Sequence, residues 1–405
     1  MFRLLLALSA LSLQAQNIDA ILETIKADQA WTLDQQISIC QIPAPPFKEA
    51  ARGKEYARRL AAHGLVDIRT DTEGNVISRW PGSKAPKPLI VFSAHLDTVF
   101  PEGMDVSVKR DGARLKGLGM GDDCRGLATV LSVAKAFQKH NATFNGTILF
   151  VATVGEEGQG DLRGVRHLFT KELKGQVDAF ISVDGTGTSL TSRGVGSNRY
   201  LVTYKGRGGH SYGAFGMPNP AHAMGRAIAR IADIQVPASP KTTFNIGRVE
   251  GGTSVNSVPI SVSMEVDMRS ESAAELATLD ERMRAAFQHG VDAEKQRWPN
   301  SKAPLDLEIK VMGLRPAGAQ PDSLPIVEKA IAAAKRARIT LFATRAGSTD
   351  SNIPISLGIP AITIGGGGGA QGAHSIDEWY EDTPDSYKGP QWAALILEAL
   401  TAPPN

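Results

Sequence analysis

The chain has 405 residues, 42% hydrophobic and 21% charged, with a formal net charge of +2. That length buries a large core and accommodates two domains, and the composition is ordinary for a globular protein. A charge so near neutral implies no nucleic-acid or membrane-surface partner.

Met1-Phe-Arg3 leads into the apolar stretch Leu4 to Leu13, and Leu13-Gln-Ala15 ends on a small residue. Residues 1–15 read as a secretory signal peptide, which implies an exported protein, periplasmic or extracellular. A retained N-terminal anchor is the lesser reading. The run is too short to span a bilayer, so no membrane span is expected after its removal. Asn17 to about Cys40 has helical spacing, and Pro43, Pro45 and Pro46 break the chain. Lys48 to His63 is a second helix stopped at Gly64, followed by short strands at Val66–Thr70 and Val76–Trp80. Leu89–Ala94 is a buried strand, and Asp111-Gly112 marks a hairpin between Val106–Lys109 and Arg114–Lys116. A long helix over Cys124 to His140 precedes the strands Thr147–Val154 and Ala179–Val183, with a helix near Val165–Leu173 between them. Alternating helices and buried strands indicate an α/β domain around a central, mostly parallel sheet.

From about Gly194 the strands become half-exposed, alternating with helices at Pro220–Ile231 and Ala273–Phe287. This suggests an inserted α+β domain of ferredoxin-like type over 194–305, flanked by catalytic segments 16–193 and 306–405. The two cysteines, Cys40 and Cys124, have no metal-ligand spacing. Nothing in their separation demands a bridge, and no disulfide is expected.

Four apolar runs end in polar chemistry: Leu89–Ala94 in His95-Leu-Asp97, Thr147–Val154 in Gly155-Glu156-Glu157, Ala179–Val183 in Asp184-Gly185, and Ala361–Ile364 in five glycines and then His374. In an α/β sheet, ligands bind beyond the carboxyl ends of the strands. Burying adjacent unpaired glutamates is costly, so a positive centre is expected beside Glu156 and Glu157. Histidines and carboxylates at one sheet edge suggest a metal site. Asp122-Asp123 opens a helix, where one aspartate caps or orients while the other coordinates. Gly365 to Ala370 formally satisfies GxGxxA, but no clear helix follows and no mononucleotide half precedes it. Nucleotide binding is rejected, and the glycines are expected to let the backbone approach a substrate or position His374.

Together these motifs resemble the zinc peptidase superfamily that includes peptidase T, carboxypeptidase G, aminoacylase-1 and the acetylornithine and succinyl-diaminopimelate deacylases. The segments that carry the resemblance are Ser93-Ala-His95-Leu-Asp97-Thr-Val99, Gly121-Asp122-Asp-Cys-Arg-Gly126, Gly155-Glu-Glu-Gly158, Val183-Asp184-Gly185 and Gly372-Ala-His374. The resemblance implies a phosphorylase/hydrolase-like α/β catalytic domain and two zinc ions, with cobalt or manganese also fitting such ligands. His95 and Asp184 would hold one ion, Glu157 and His374 the other, with Asp122 bridging. Aligning Asp122-Asp123-Cys124 with the family's Asp-Asp-Lys keeps Gly126 in register; a shift of one would place Asp123 on the bridge and Arg125 on the lysine. Glu156 would be the general base and Asp97 the carboxylate partner of His95. Gly208-Gly-His210-Ser211 resembles the family's lid and dimerisation domain, which implies a homodimer and His210 as an oxyanion donor. Asn256, Arg269 and Ser348 are candidate substrate contacts, with an ion pair to Asp267 or Glu271 as the structural alternative for Arg269. The implied activity is hydrolysis of small peptides at one end, or alternatively deacylation of an N-acyl amino acid. A metal-dependent binding protein without catalysis is a remote third reading.

Overall fold

The structure, a computed structural model, describes residues 18–341 and 344–402. Residues 1–15, read from the sequence as a signal peptide, lie outside the described residues. The chain forms two compact units: one runs to Arg193 and resumes at Gln320, and the other is Gly194–Ala319.

The first unit is built on a sheet ordered Val66–Thr70, Val76–Arg79, Thr147–Thr153, Leu89–His95, Ala179–Val183, Ala361–Ile364, Leu190–Gly194. The four central strands run parallel. The outer strands pair antiparallel. Parallel strands are covered on both faces, which is why these four read as unbroken apolar runs. Ile90, Phe92 and Phe150 pack with the helices Ala50–Ala62, Cys124–Lys139, Pro325–Arg336 and Lys388–Thr401. Val91, Val151 and Phe180 face the opposite layer around Val165, Leu168 and Ile353. The parallel register aligns His95 with Thr153, Ser93 with Ser182, and Ile364 with Val183. Four strand ends therefore finish level, and the residues that follow them share one edge.

A separate antiparallel sheet lies in the same unit, ordered Gly369–Gln371, Trp379–Glu381, Arg114–Lys116, Lys109–Asp111. The first two of these strands bracket the His374 loop, and Arg114–Lys116 runs directly into the Gly117–Asp123 loop.

The second unit has the strand order Thr242–Gly251, Ser261–Ser270, Gly196–Gly206, Leu305–Arg315, all antiparallel. Helices Pro220–Ala232 and Ala273–Arg297 share its core. This is the βαββαβ ferredoxin-like topology. Its end differs from the expected boundary at 305. Leu305–Arg315 is an edge strand of this sheet, aligned from Leu305↔Gly206 to Arg315↔Ser197, with Leu305, Leu307 and Ile309 packed on the unit's core. The alternation near Ala303 belongs to the insert's last strand, so the return to the first unit comes after Ala319.

Cys40 and Cys124 are also corrected: they form a disulfide across 84 residues of separation. The Gln29–Cys40 helix packs along the Cys124–Lys139 helix, which brings the end of one to the start of the other. No spacing rule encodes that packing.

Candidate metal centre

His95 ends its strand and is fully buried. Its Nε2 lies 2.9 Å from Asp122 Oδ1. His374, in the loop after the glycine run, places Nε2 3.2 Å from the other oxygen of Asp122 and 3.1 Å from Glu157 Oε1. Two triads thus share one carboxylate: His95, Asp122 and Asp184, and Asp122, Glu157 and His374, each with donor atoms within 4.8 Å of one another. A third grouping joins His95 to Glu156 and Glu157.

Asp122 and Asp123 are separated by their surroundings. Asp122 faces the two imidazoles. Asp123 is fully buried and accepts hydrogen bonds from the backbone N–H of His95 at 3.1 Å and of Gly126 at 3.0 Å. It caps the Cys124–Lys139 helix and ties that helix to the end of the His95 strand. The peptide bond between the two aspartates is cis.

Asp97 lies against His95, as expected, and has a second task. His95 Nδ1 is 3.1 Å from the backbone carbonyl of Asp97 and 3.6 Å from its carboxylate. The carboxylate also accepts the backbone N–H of Glu156 at 3.0 Å and of Glu157 at 2.8 Å. Asp97 thus holds the strand-end glutamates by their main chain, and its backbone, with the more distant carboxylate, orients the imidazole.

Charge in the site is unbalanced. Asp97, Asp122, Asp123, Glu156, Glu157 and Asp184 surround two imidazoles. Burial alone would lower His95, but its contacts with Asp122 and Asp97 raise its pKa well above the ordinary value. His374 is pushed up to about 10 by Asp122 and then Glu157. Burial works against ionisation of Asp122, yet the two imidazoles outweigh it and hold the group well below the ordinary carboxylate range. Burial drives Asp123 well above that range, and burial followed by the charge of Asp122 does the same to Asp184. A site that forces protons onto its carboxylates suits divalent cations, which would supply the missing charge.

The donor set fits such ions. Glu157 Oε1 is buried and makes no hydrogen bond, although His374 Nε2 is only 3.1 Å away. Two ligands about 2.0–2.1 Å from one tetrahedral zinc are separated by about 3.3 Å. The 2.9–3.2 Å separations across Asp122, His95, His374 and Glu157 are close to that spacing.

Several supporting residues were not singled out in the sequence. Arg52, buried in the Ala50–Ala62 helix, donates to the carbonyls of Ile42 and Leu96 under the site. Burial lowers its pKa to about 10, against the pull of Asp97 and Asp123. Glu378 is buried four residues past His374 and accepts the N–H groups of Gly119 and Gly121, each at 2.8 Å. Burial pushes it up to about 7. Neither has a periodic or motif signal; a buried charge shows itself only once the fold is known. Arg125 reaches the carbonyls of Gly366 and Ser386, so it braces the glycine run away from the metal cluster. A Cβ on Gly365 would lie 2.5 Å from the carbonyl oxygen of Thr186, so close backbone packing requires glycine there.

Three other sequence candidates lie in the second unit. His210 is exposed on the short strand paired with Ser257–Val258, and its Nδ1 accepts the N–H of Tyr212 at 3.3 Å. Asn256 accepts a hydrogen bond from Ser254. Arg269 takes its structural alternative, an ion pair with Asp267 at 2.8 Å. Ser348, in the first unit, is half-buried just beyond the Thr344–Gly347 strand. Among the described residues, no helix is long and apolar enough to cross a membrane.

Residues 91–399 match the model of peptidase family M20/M25/M40. A succinyl-diaminopimelate desuccinylase of Nitrosospira multiformis is 29% identical over 267 residues, 61% of this chain and 69% of the relative. The aminopeptidase PepT of Bacillus cereus superposes with a TM-score of 0.71 at 22% identity, over 92% of this chain and 98% of its own. The Bacillus subtilis protein YXEP, described as a dinuclear metal-binding peptidase, gives 0.66 at 18% identity, over 93% and 100%. These two likenesses concern the fold. With a match across both catalytic segments and a histidine–carboxylate cluster at the sheet edge, the chain belongs to peptidase family M20/M25/M40 and is a hydrolase of the metallopeptidase type.

Proposed function

We propose that the chain is a two-metal exopeptidase that hydrolyses amide bonds of small peptides, such as di- or tripeptides. The observation that carries this reading is the pair of ligand triads sharing Asp122. His95 and Asp184 would hold one ion, Glu157 and His374 the other, and Asp122 both. Zinc suits this set of imidazoles and carboxylates, as do cobalt and manganese. When bound, the ions would supply Lewis acidity and lower the pKa of water.

The chain's own residues supply the rest. Glu156, buried beside Glu157, takes the proton of the attacking water and delivers it to the leaving amine. Asp97 fixes its main chain for that transfer. With Nδ1 accepting from Tyr212, His210 carries its proton on Nε2, free to donate to the carbonyl oxygen as charge develops there. We assign that donor to a second copy of the chain, in a homodimer. Asn256, Arg269 and Ser348 are the proposed contacts to the unreactive part of the substrate.

A deacylase acting on N-acyl amino acids is the second reading, favoured by the similarity to the desuccinylase. Export to the periplasm or beyond is proposed from the apolar N-terminal run, and the Cys40–Cys124 bridge supports it, because disulfides persist in oxidising compartments.

The test is Glu156→Gln assayed with a panel of dipeptides, tripeptides and N-acyl amino acids, with and without chelator. Turnover should fall at least about a hundredfold, the scale of general-base catalysis, while metal content stays at two ions. Glu157→Ala should lose metal as well as activity. Undiminished turnover by Glu156→Gln would refute the proposed base, and a preference for N-acyl substrates would select the second reading.

A further inference from the structure

We propose that Glu378 is a positioning residue that sets the Asp122 carboxylate against His374, through a bidentate clamp on the backbone of the Asp122 loop. The inference rests on the two-metal reading above.

The small antiparallel sheet carries both loops. The hairpin between Gly369–Gln371 and Trp379–Glu381 presents His374. Trp379–Glu381 pairs in turn with Arg114–Lys116, from Trp379↔Lys116 to Glu381↔Arg114. The chain then leaves that strand for the Gly117–Asp123 loop. Glu378 stands at the junction. Its backbone carbonyl accepts the N–H of Gly117 at 3.2 Å. Its carboxylate reaches further along the same loop: Oε2 takes the N–H of Gly119 and Oε1 that of Gly121, both at 2.8 Å. Gly121 is the residue before Asp122.

Both oxygens of a buried carboxyl group are thereby committed to main-chain donors two residues apart, a bidentate pair that fixes the loop's position and orientation together. The loop fits closely. A Cβ on Gly121 would lie 2.7 Å from Ala370 Cβ, on the strand that begins the His374 hairpin. On the loop's other side, Gln36 donates to the carbonyl of Met120 at 2.7 Å, and the Cys40–Cys124 disulfide fixes the residue after Asp123. Glu378 stands on the segment that also carries His374, which Gln36 and the disulfide do not. It therefore sets the distance between two ligands rather than merely the place of one.

The clamp makes a prediction that a purely structural acid does not. Asp122 belongs to both triads, so displacing it weakens both ions, whereas loss of His374 weakens one. Glu378→Gln keeps the size but offers one acceptor oxygen and turns an NH₂ group toward the second N–H. Zinc affinities and stoichiometry would be measured by competition with a chromophoric chelator, alongside the thermal midpoint of the metal-free protein. Wild type should bind two ions, His374→Ala should weaken one, and Glu378→Gln should weaken both by about tenfold or more with little change in the metal-free midpoint. If Glu378→Gln does not fold, Gly121→Ala disturbs the same seat without removing the carboxylate and should give the same paired loss. Unchanged affinities, weakening of one ion alone, or a lowered midpoint with intact affinities would overturn the inference. A wild-type chain that does not bind two ions would overturn the two-metal reading itself, a separate outcome.

Discussion

Asp97→Ala tests what holds the glutamate pair. The Asp97 carboxylate is fully buried and receives two backbone N–H groups, at 3.0 and 2.8 Å. Hydrogen bonds to a charged acceptor contribute about 1.5–3 kcal/mol each, so truncation removes about 3–6 kcal/mol and leaves two buried donors without a partner. Relief of the carboxylate's desolvation offsets part of this, which gives an expected loss of about 2–4 kcal/mol. Asp97→Asn should lose nearly as much, because its NH₂ group must meet one of the two N–H groups. The contribution has a sign in pH. Burial raises the Asp97 pKa, but its contacts with His95 and the two glutamate N–H groups outweigh that and leave it lowered. Its stabilisation is therefore present above the unfolded value near 3.9 and is lost as pH falls below that. Urea unfolding of both variants at pH 7 gives the stability. Turnover at saturating zinc gives the second readout, since misplacing a catalytic group by about 1 Å costs about a hundredfold. If Asp97 served only to orient His95, excess zinc would restore kcat. Restored kcat together with stability within about 0.5 kcal/mol of wild type would refute the reasoning.

Zinc binding by the metal-free protein should release protons. His95 and His374 are both raised, His374 to about 10, so each holds a proton at pH 7 that ligation must displace. Titration calorimetry in buffers of different ionisation enthalpy should show release of about two protons or more per two ions, with the share from His374 fading as pH passes about 10; no buffer dependence at pH 7 would contradict it. Cys40→Ser with Cys124→Ser removes a cross-link spanning 84 residues. The chain-entropy estimate for such a loop is about 4–5 kcal/mol, read as a lower denaturation midpoint, and a variant as stable as the oxidised protein would show that the bridge contributes nothing.

The metal cluster was legible because its ligands follow apolar strands, and parallel strands both announce themselves and align their ends. Strand ends marked His95, Glu156, Glu157 and Asp184 as a group, but which of them would hold metal came only with the family resemblance. Asp122 and Asp123 were harder: adjacent in sequence, they part only when one meets the helix N-terminus and the other the imidazoles. Asp97 was legible as the partner of His95 from its two-residue spacing, but only half of its role was. Its carboxylate also bonds to main chain arriving from a neighbouring strand, which no local pattern reports. The disulfide and Glu378 were hidden for the same reason, as each joins segments brought together only by packing. The end of the insert was missed because an edge strand and a returning core strand begin with the same alternation.

The register that closes the insert's sheet also bears on how the chain folds. Ala179–Val183 and Ala361–Ile364 are parallel neighbours separated by most of the chain's second half. Between them, Ser197 and Arg315 sit opposite each other on adjacent strands, about 5 Å apart. Once the insert has folded, roughly two thirds of the intervening chain is bridged by that one strand spacing, and the closure entropy for the catalytic sheet falls by about 1 kcal/mol. The insert would then act as an internal tether, completing itself early so that the two halves of the catalytic sheet search for each other as if joined by a much shorter loop.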